Sequence, residues 1–105
     1  CDDLVLVVPP DHDAFRQRYG ADRLTRVTVR FAVQVEALGT ADAVLAAQHC
    51  VPDRPFLVLN ADNLYPVDVL RALAALDGPG LPAFARDALV EERGFPAARV
   101  AQFAV

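Results

Sequence analysis

The chain contains no lysine, serine, methionine, isoleucine or tryptophan. Without serine there is no serine nucleophile. Without lysine there is neither a Schiff base nor the phosphate-gripping lysine of a P-loop. Cysteine is scarce: Cys1 and Cys50 stand far apart and form no CxxC pair, so a disulfide framework is not expected and a reducing, cytoplasmic setting is. No apolar run reaches the roughly 18 residues that a membrane-spanning helix needs, and no signal peptide is visible. The first residue is not methionine, and strand-like apolar runs stand near both ends, so both ends are expected to be cuts. A lipidated Cys1 is the competing reading. It would need a flexible tether, and only Asp2 and Asp3 precede the first apolar run.

What remains is apolar and mildly acidic. Of 105 residues, 54% are hydrophobic and 23% charged, and the formal net charge is −4. That is one domain at most, too apolar to be disordered and poorly suited to a nucleic-acid surface. Arg16, Arg18, Arg23, Arg26 and Arg30 crowd one stretch. Asp11, Asp13 and Asp22 are interleaved with them, which makes a solvated mixed face.

The apolar pattern alternates between strand and helix. Leu4 to Val8 is a continuous β-favouring run, as in a strand covered on both faces. After Pro9-Pro10, Asp11 is a predicted helix cap, Phe15 and Tyr19 share a face, and Gly20 is the stop. Arg26 to Gln34 alternates with period two, as in a strand nearer the sheet edge. Gly39-Thr40 opens a second helix, with Thr40 as cap, Asp42 in the first turn and Pro52 marking the end. Phe56 to Leu59 is a second buried-type strand, closed by Asn60-Ala61-Asp62-Asn63. Pro66 suits the first turn of a third helix carrying Val69, Leu70 and Leu73, which Asp77-Gly78-Pro79-Gly80 ends. Beyond it, the pattern predicts a short strand over 81–85, a helical turn or two over 87–92 and a strand over 99–105. The alternation argues for an α/β fold with a mostly parallel sheet and helices on both faces. Ligands of such sheets bind beyond the carboxyl ends of the strands.

Two loops at such ends carry polar residues suited to a site. Asp62 directly follows a buried-type strand, and one carboxylate with phosphate oxygens and water is the usual way of holding Mg2+. Its competing role is a helix cap or an Asx-turn with Asn63. Gln34 offers a donor and an acceptor to the edge of a nucleobase. Gly39 permits close backbone approach, and Thr40 begins a helix whose amino end favours anions. The competing role here is a plain strand-to-helix loop. His49-Cys50 lacks metal-ligand spacing, and an adjacent pair is badly placed for Cys/His catalysis. His12 and Glu91-Glu92 read as surface residues, and Phe15, Tyr19 and Phe31 as core.

The stretch from Gln34 through Leu38-Gly39-Thr40-Ala41 to Val44, followed after a helix by Phe56-Leu57-Val58-Leu59-Asn60-Ala61-Asp62-Asn63, resembles the middle of a sugar-1-phosphate nucleotidylyltransferase. The resemblance spans roughly 4–76. It implies a three-layer αβα, Rossmann-like nucleotidyltransferase fold, incomplete in this chain, with residues 1–105 as a partial domain. It also implies Mg2+-dependent transfer of a nucleotidyl group from a nucleoside triphosphate to a sugar 1-phosphate, with release of pyrophosphate. Asp62 would hold the Mg2+ and serve catalysis. Gln34 and Gly39 would contact the base, with Thr40 beside them. Neither nucleic acid nor a membrane is an expected partner, and a homo-oligomer is compatible with the sequence.

The departures from that family are informative. Ala61 stands where the family usually has glycine. The Gly-rich, Arg-containing phosphate loop and the first strand before it are missing, as is the later phosphate-gripping lysine. That strand would lie between those at Leu4 and Phe56, so this segment alone is expected to be unstable or to aggregate unless the two pair directly. Two other functions compete. One is a non-catalytic regulatory domain of the same fold that binds a nucleotide or sugar nucleotide, which Ala61 favours. The other is a glycosyltransferase, against which the Gln and Leu-Gly-Thr-Ala motif counts.

Overall fold

The β-favouring run after Asp3 forms strand β1 (Asp3–Val8), and the alternating run forms β2 (Thr28–Val33). The two pair in parallel, from Asp3 opposite Thr28 to Val8 opposite Val33. Helix α1 (Asp13–Tyr19) connects them, and α2 (Thr40–Ala46), α3 (Val67–Ala74), α4 (Arg86–Glu91) and α5 (Ala97–Gln102) follow. The computed structural model describes residues 3–20, 26–51, 53–91, 94 and 96–102. Expectations resting on Cys1, Asp22, Arg23, Pro52, Glu92 and 103–105 lie outside those residues. The chain divides into two units, Cys1–Val58 and Leu59–Val105.

In the first unit a parallel pair is joined through a helix and followed by another, which is an α/β arrangement. Its buried apolar side chains are Val8, Ala32 and Ala47. Helix α2 packs against β1. At the start of β1 the Asp3 carboxylate pairs with Arg54 at 2.9 Å and with Arg30 at 3.8 Å. These pairs reach solvent, and each contributes at most about 1 kcal/mol.

Alternation in β2 holds from Thr28 to Phe31 and then reverses, with Ala32 buried and Val33 exposed. Strand β1 is not covered on both faces: Leu4 and Val7 are exposed. Phe56 to Leu59 is not a strand. Its apolar side chains are exposed, and no strand among the described residues pairs with its backbone. A β conformation is stable only when neighbouring strands take up its N–H and C=O groups.

The caps also differ from expectation. His12, not Asp11, is the N-cap residue of α1, and Gly39, not Thr40, is that of α2. Pro66 precedes α3 as its N-cap. The His12 ring instead accounts for the turn before α1, since its Nδ1 lies 3.0 Å from the Pro9 carbonyl and 2.9 Å from that of Pro10.

In the second unit, α3 carries the predicted stripe, with Val69, Leu70 and Leu73 half-buried. Residues 81–85 are not a strand; Pro82 cannot donate to a ladder. Helix α5 stands where a strand was predicted over 99–105. Ala97 and Ala98 are strong helix formers, and Pro96 begins the turn, its carbonyl accepting from the Arg99 and Val100 amides at 2.8 and 3.1 Å. Helix α5 packs on α4, and Val100 is the buried residue of that pair. No helix among the described residues is long and apolar enough to cross a membrane.

Candidate functional site

The first group of candidate residues lies at the carboxyl end of the parallel pair. The Gln34 backbone N–H donates to the Val8 carbonyl at 2.9 Å, continuing the ladder one residue past β2. Its side chain is thereby fixed at the rim of the sheet. Gln34 Nε2 then donates to Asp42 Oδ2 at 2.8 Å and to the Gly39 carbonyl at 3.3 Å. An amide nitrogen carries two protons, and both are used inside the loop. The Gln34 side-chain oxygen takes no hydrogen bond among the described residues, so this amide has an acceptor to offer and no further donor.

Gly39 makes the turn into α2. Its φ of 107° and ψ of −177° lie in a region open to glycine and closed to side chains. Thr40 is the first residue of the helix and is exposed. Gln34, Gly39 and Thr40 are thus brought together in one loop. Sequence reasoning placed Asp42 only in the first helical turn and missed its bond to Gln34. The signal was the i, i+8 spacing of an amide at a strand end and a carboxylate in the following helix. Val35 and Leu38 stand out on this loop, 77% and 71% exposed. An apolar pair in an otherwise polar turn offers cover to the flat face of a ring.

Asp62 belongs to the second unit. It sits in a turn closed by the Asn63 N–H donating to the Asn60 carbonyl at 3.3 Å. The Tyr65 hydroxyl oxygen accepts from the Asn60 N–H at 3.1 Å and from Asn63 Nδ2 at 3.3 Å. The Asp62 side chain is exposed and, among the described residues, takes no part in these bonds. It does not cap α3, whose N-cap is Pro66 without a side-chain bond. Both competing structural roles for Asp62 are therefore unfilled here, and its oxygens are open to a ligand. Ala61 has no positive φ, so the turn needs no glycine there for conformational reasons.

The remaining sequence candidates fall elsewhere. His12 Nε2 accepts from Arg16 Nε at 2.6 Å, its ring stacks on Phe31 at 6.3 Å, and the Arg16 guanidinium lies 5.1 Å above the same ring. His49 meets Gln48 at 3.3 Å, and Cys50 is a free thiol. No cluster of three or more His, Cys, Asp or Glu suited to a metal occurs among the described residues. An apolar cleft of about 480 Å³ in the first unit is lined by residues of α2 and by Val51, Asp53 and Phe56, and Gln34, Gly39 and Thr40 do not border it.

Comparison with known proteins adds one match. Searches of curated proteins and of solved structures returned none. The family model described as nucleotidyl transferase matches residues 1–79, which include both the Gln34–Thr40 loop and the Asp62 turn. Three quarters of the sequence thus carries the pattern of enzymes that transfer nucleotidyl groups, and the chain belongs to the nucleotidyl transferase family.

Proposed function

We propose that the protein transfers a nucleotidyl group from a nucleoside triphosphate to a sugar 1-phosphate and releases pyrophosphate. In this reading the parallel pair is part of a larger three-layer αβα sheet, and the protein works in the cytoplasm. The observation that carries the proposal is the Asp62 carboxylate, exposed and without a bonded partner among the described residues, in a turn that follows an apolar run inside the matched region.

A single hard oxygen donor fits a magnesium ion that arrives with its nucleotide, because Mg2+ takes one or two carboxylates and completes its shell with phosphate oxygens and water. Such an ion supplies neutralisation of charge on the phosphates during in-line displacement. The residues of the chain supply position. The Gln34 carbonyl oxygen accepts a hydrogen bond from the base, Val35 and Leu38 cover its face, and the Gly39 backbone lets the ring approach. Asp62, in the second unit, would hold that ion; in the reaction the sugar phosphate oxygen bonds to the α-phosphorus as the bond to the β-phosphate oxygen breaks.

The test is pyrophosphate release with a panel of nucleoside triphosphates and sugar 1-phosphates. Release that requires both substrates, and that falls at least about 100-fold in Asp62→Asn, is the expected result. Nucleotide binding without release would replace this reading with that of a regulatory nucleotide-binding domain. Unchanged turnover in Asp62→Asn would remove Asp62 from the site.

A further inference from the structure

The Tyr65 hydroxyl bonds to both sides of the Asp62 turn. A phenol oxygen has two lone pairs and one proton. Both lone pairs are engaged here, by the Asn60 N–H at 3.1 Å and by Asn63 Nδ2 at 3.3 Å. The residues they hold flank Ala61 and Asp62. Tyr65 is half-buried, whereas the four residues of the turn are exposed. The side-chain bonds of the turn thus converge on one half-buried residue, and the backbone bond from Asn63 to Asn60, at 3.3 Å, is long.

We propose that Tyr65 is a positioning residue for the Asp62 carboxylate: its hydroxyl oxygen holds the turn in the conformation that presents that carboxylate to a divalent cation. The proposal rests on the reading of Asp62 as the cation-holding residue. It assigns Tyr65 no contact with substrate. A carboxylate on a loose turn loses conformational freedom when it binds an ion, and a turn already held by the phenol has less to lose. Phenylalanine keeps the ring but removes both acceptor sites, so Tyr65→Phe isolates the effect.

The experiment titrates the protein into Mn2+ bound to a nucleoside triphosphate, because a single carboxylate holds the ion only together with phosphate oxygens, and follows the enhancement of water-proton relaxation. Asp62→Asn should abolish the binding seen in the parent protein. Tyr65→Phe should weaken it about 3- to 10-fold while its circular dichroism spectrum stays that of the parent, and the Asn60 amide should exchange with solvent faster. If Tyr65→Phe fails to fold, Asn63→Ala, which removes one of the two donors, should weaken Mn2+ binding about 2- to 5-fold. Parent-like Mn2+ affinity in the folded Tyr65→Phe protein, with Asp62→Asn still defective, overturns the role of Tyr65 and leaves Asp62 in place. Parent-like affinity in Asp62→Asn overturns both.

Discussion

Gln34 is bound to Asp42 across the strand-to-helix loop, amide nitrogen to carboxylate oxygen, at 2.8 Å. The bond is part-buried and joins the last ladder position of the sheet to the first turn of α2. A hydrogen bond to a charged group contributes about 1.5–3 kcal/mol. Asp42 also sits where a negative charge favours the helix. Asp42→Ala should therefore lower stability by about 1–2 kcal/mol and weaken nucleoside triphosphate binding, because the Gln34 amide is then free to rotate. Chemical denaturation and a nucleotide titration read the two effects, and unchanged nucleotide affinity would separate Gln34 from the base.

Two glycines should respond to alanine for different reasons. At Gly39 an added Cβ meets nothing within 4 Å, so the penalty comes from the backbone at φ 107° and is about 1–3 kcal/mol. At Gly20 the backbone is ordinary, with φ −63° and ψ 164°, but a Cβ would lie 2.5 Å from the Arg16 carbonyl oxygen. Both variants should lose thermal stability, and only Gly39→Ala should also lose nucleotide affinity. Equal losses of affinity in the two would show that the Gly39 loop has no particular part in binding.

How far the sequence could be read differs from element to element. β1, α1, β2, α2 and α3 are legible because each follows from local pattern: a β-favouring run, an alternating run, or helical apolar spacing opened at Gly39-Thr40 or stopped at Gly20 and Gly78-Pro79. The run from Phe56 to Leu59 was misread, because strand formation depends on a partner that a linear pattern does not contain. The strand expected over 99–105 is a helix as far as Gln102, because alanine's helix propensity and the turn at Pro96 outweigh a short apolar alternation. The positions of Gln34, Gly39 and Asp62 in loops and of Thr40 at a helix start follow from residue type and pattern. The bonds of Asp42 to Gln34 and of Tyr65 to Asn60 and Asn63 do not follow from it, since a linear pattern carries no side-chain pairing.

The stack of His12, Arg16 and Phe31 ties α1 to β2. Arg16 does two things there: its Nε donates to His12 at 2.6 Å, and its guanidinium plane lies 5.1 Å from the Phe31 ring centre. Lysine has no Nε donor in a fixed plane and stacks less well. Arg16→Lys should therefore cost about 0.5–1.5 kcal/mol although the charge is kept. In a double-mutant cycle, Arg16→Lys and His12→Ala should couple by at least about 0.5 kcal/mol. Strict additivity would mean that the two side chains stand side by side without acting on each other.

The run from Phe56 to Leu59 pairs with no strand among the described residues. Phe56, Leu57 and Val58 are 54%, 44% and 51% exposed. With Leu59 they form an uncharged, β-favouring window of the kind that pairs between chains. A polypeptide of residues 1–105 should therefore scatter light on mild warming, more steeply at higher concentration. A charge inside the window, as in Val58→Glu, should suppress the scattering and leave the melting of the β1–β2 unit within about 0.5 kcal/mol, because an exposed side chain gives up little burial. Scattering that Val58→Glu does not change would place the sticky surface elsewhere, and the open edge of β1 would be the next segment to alter.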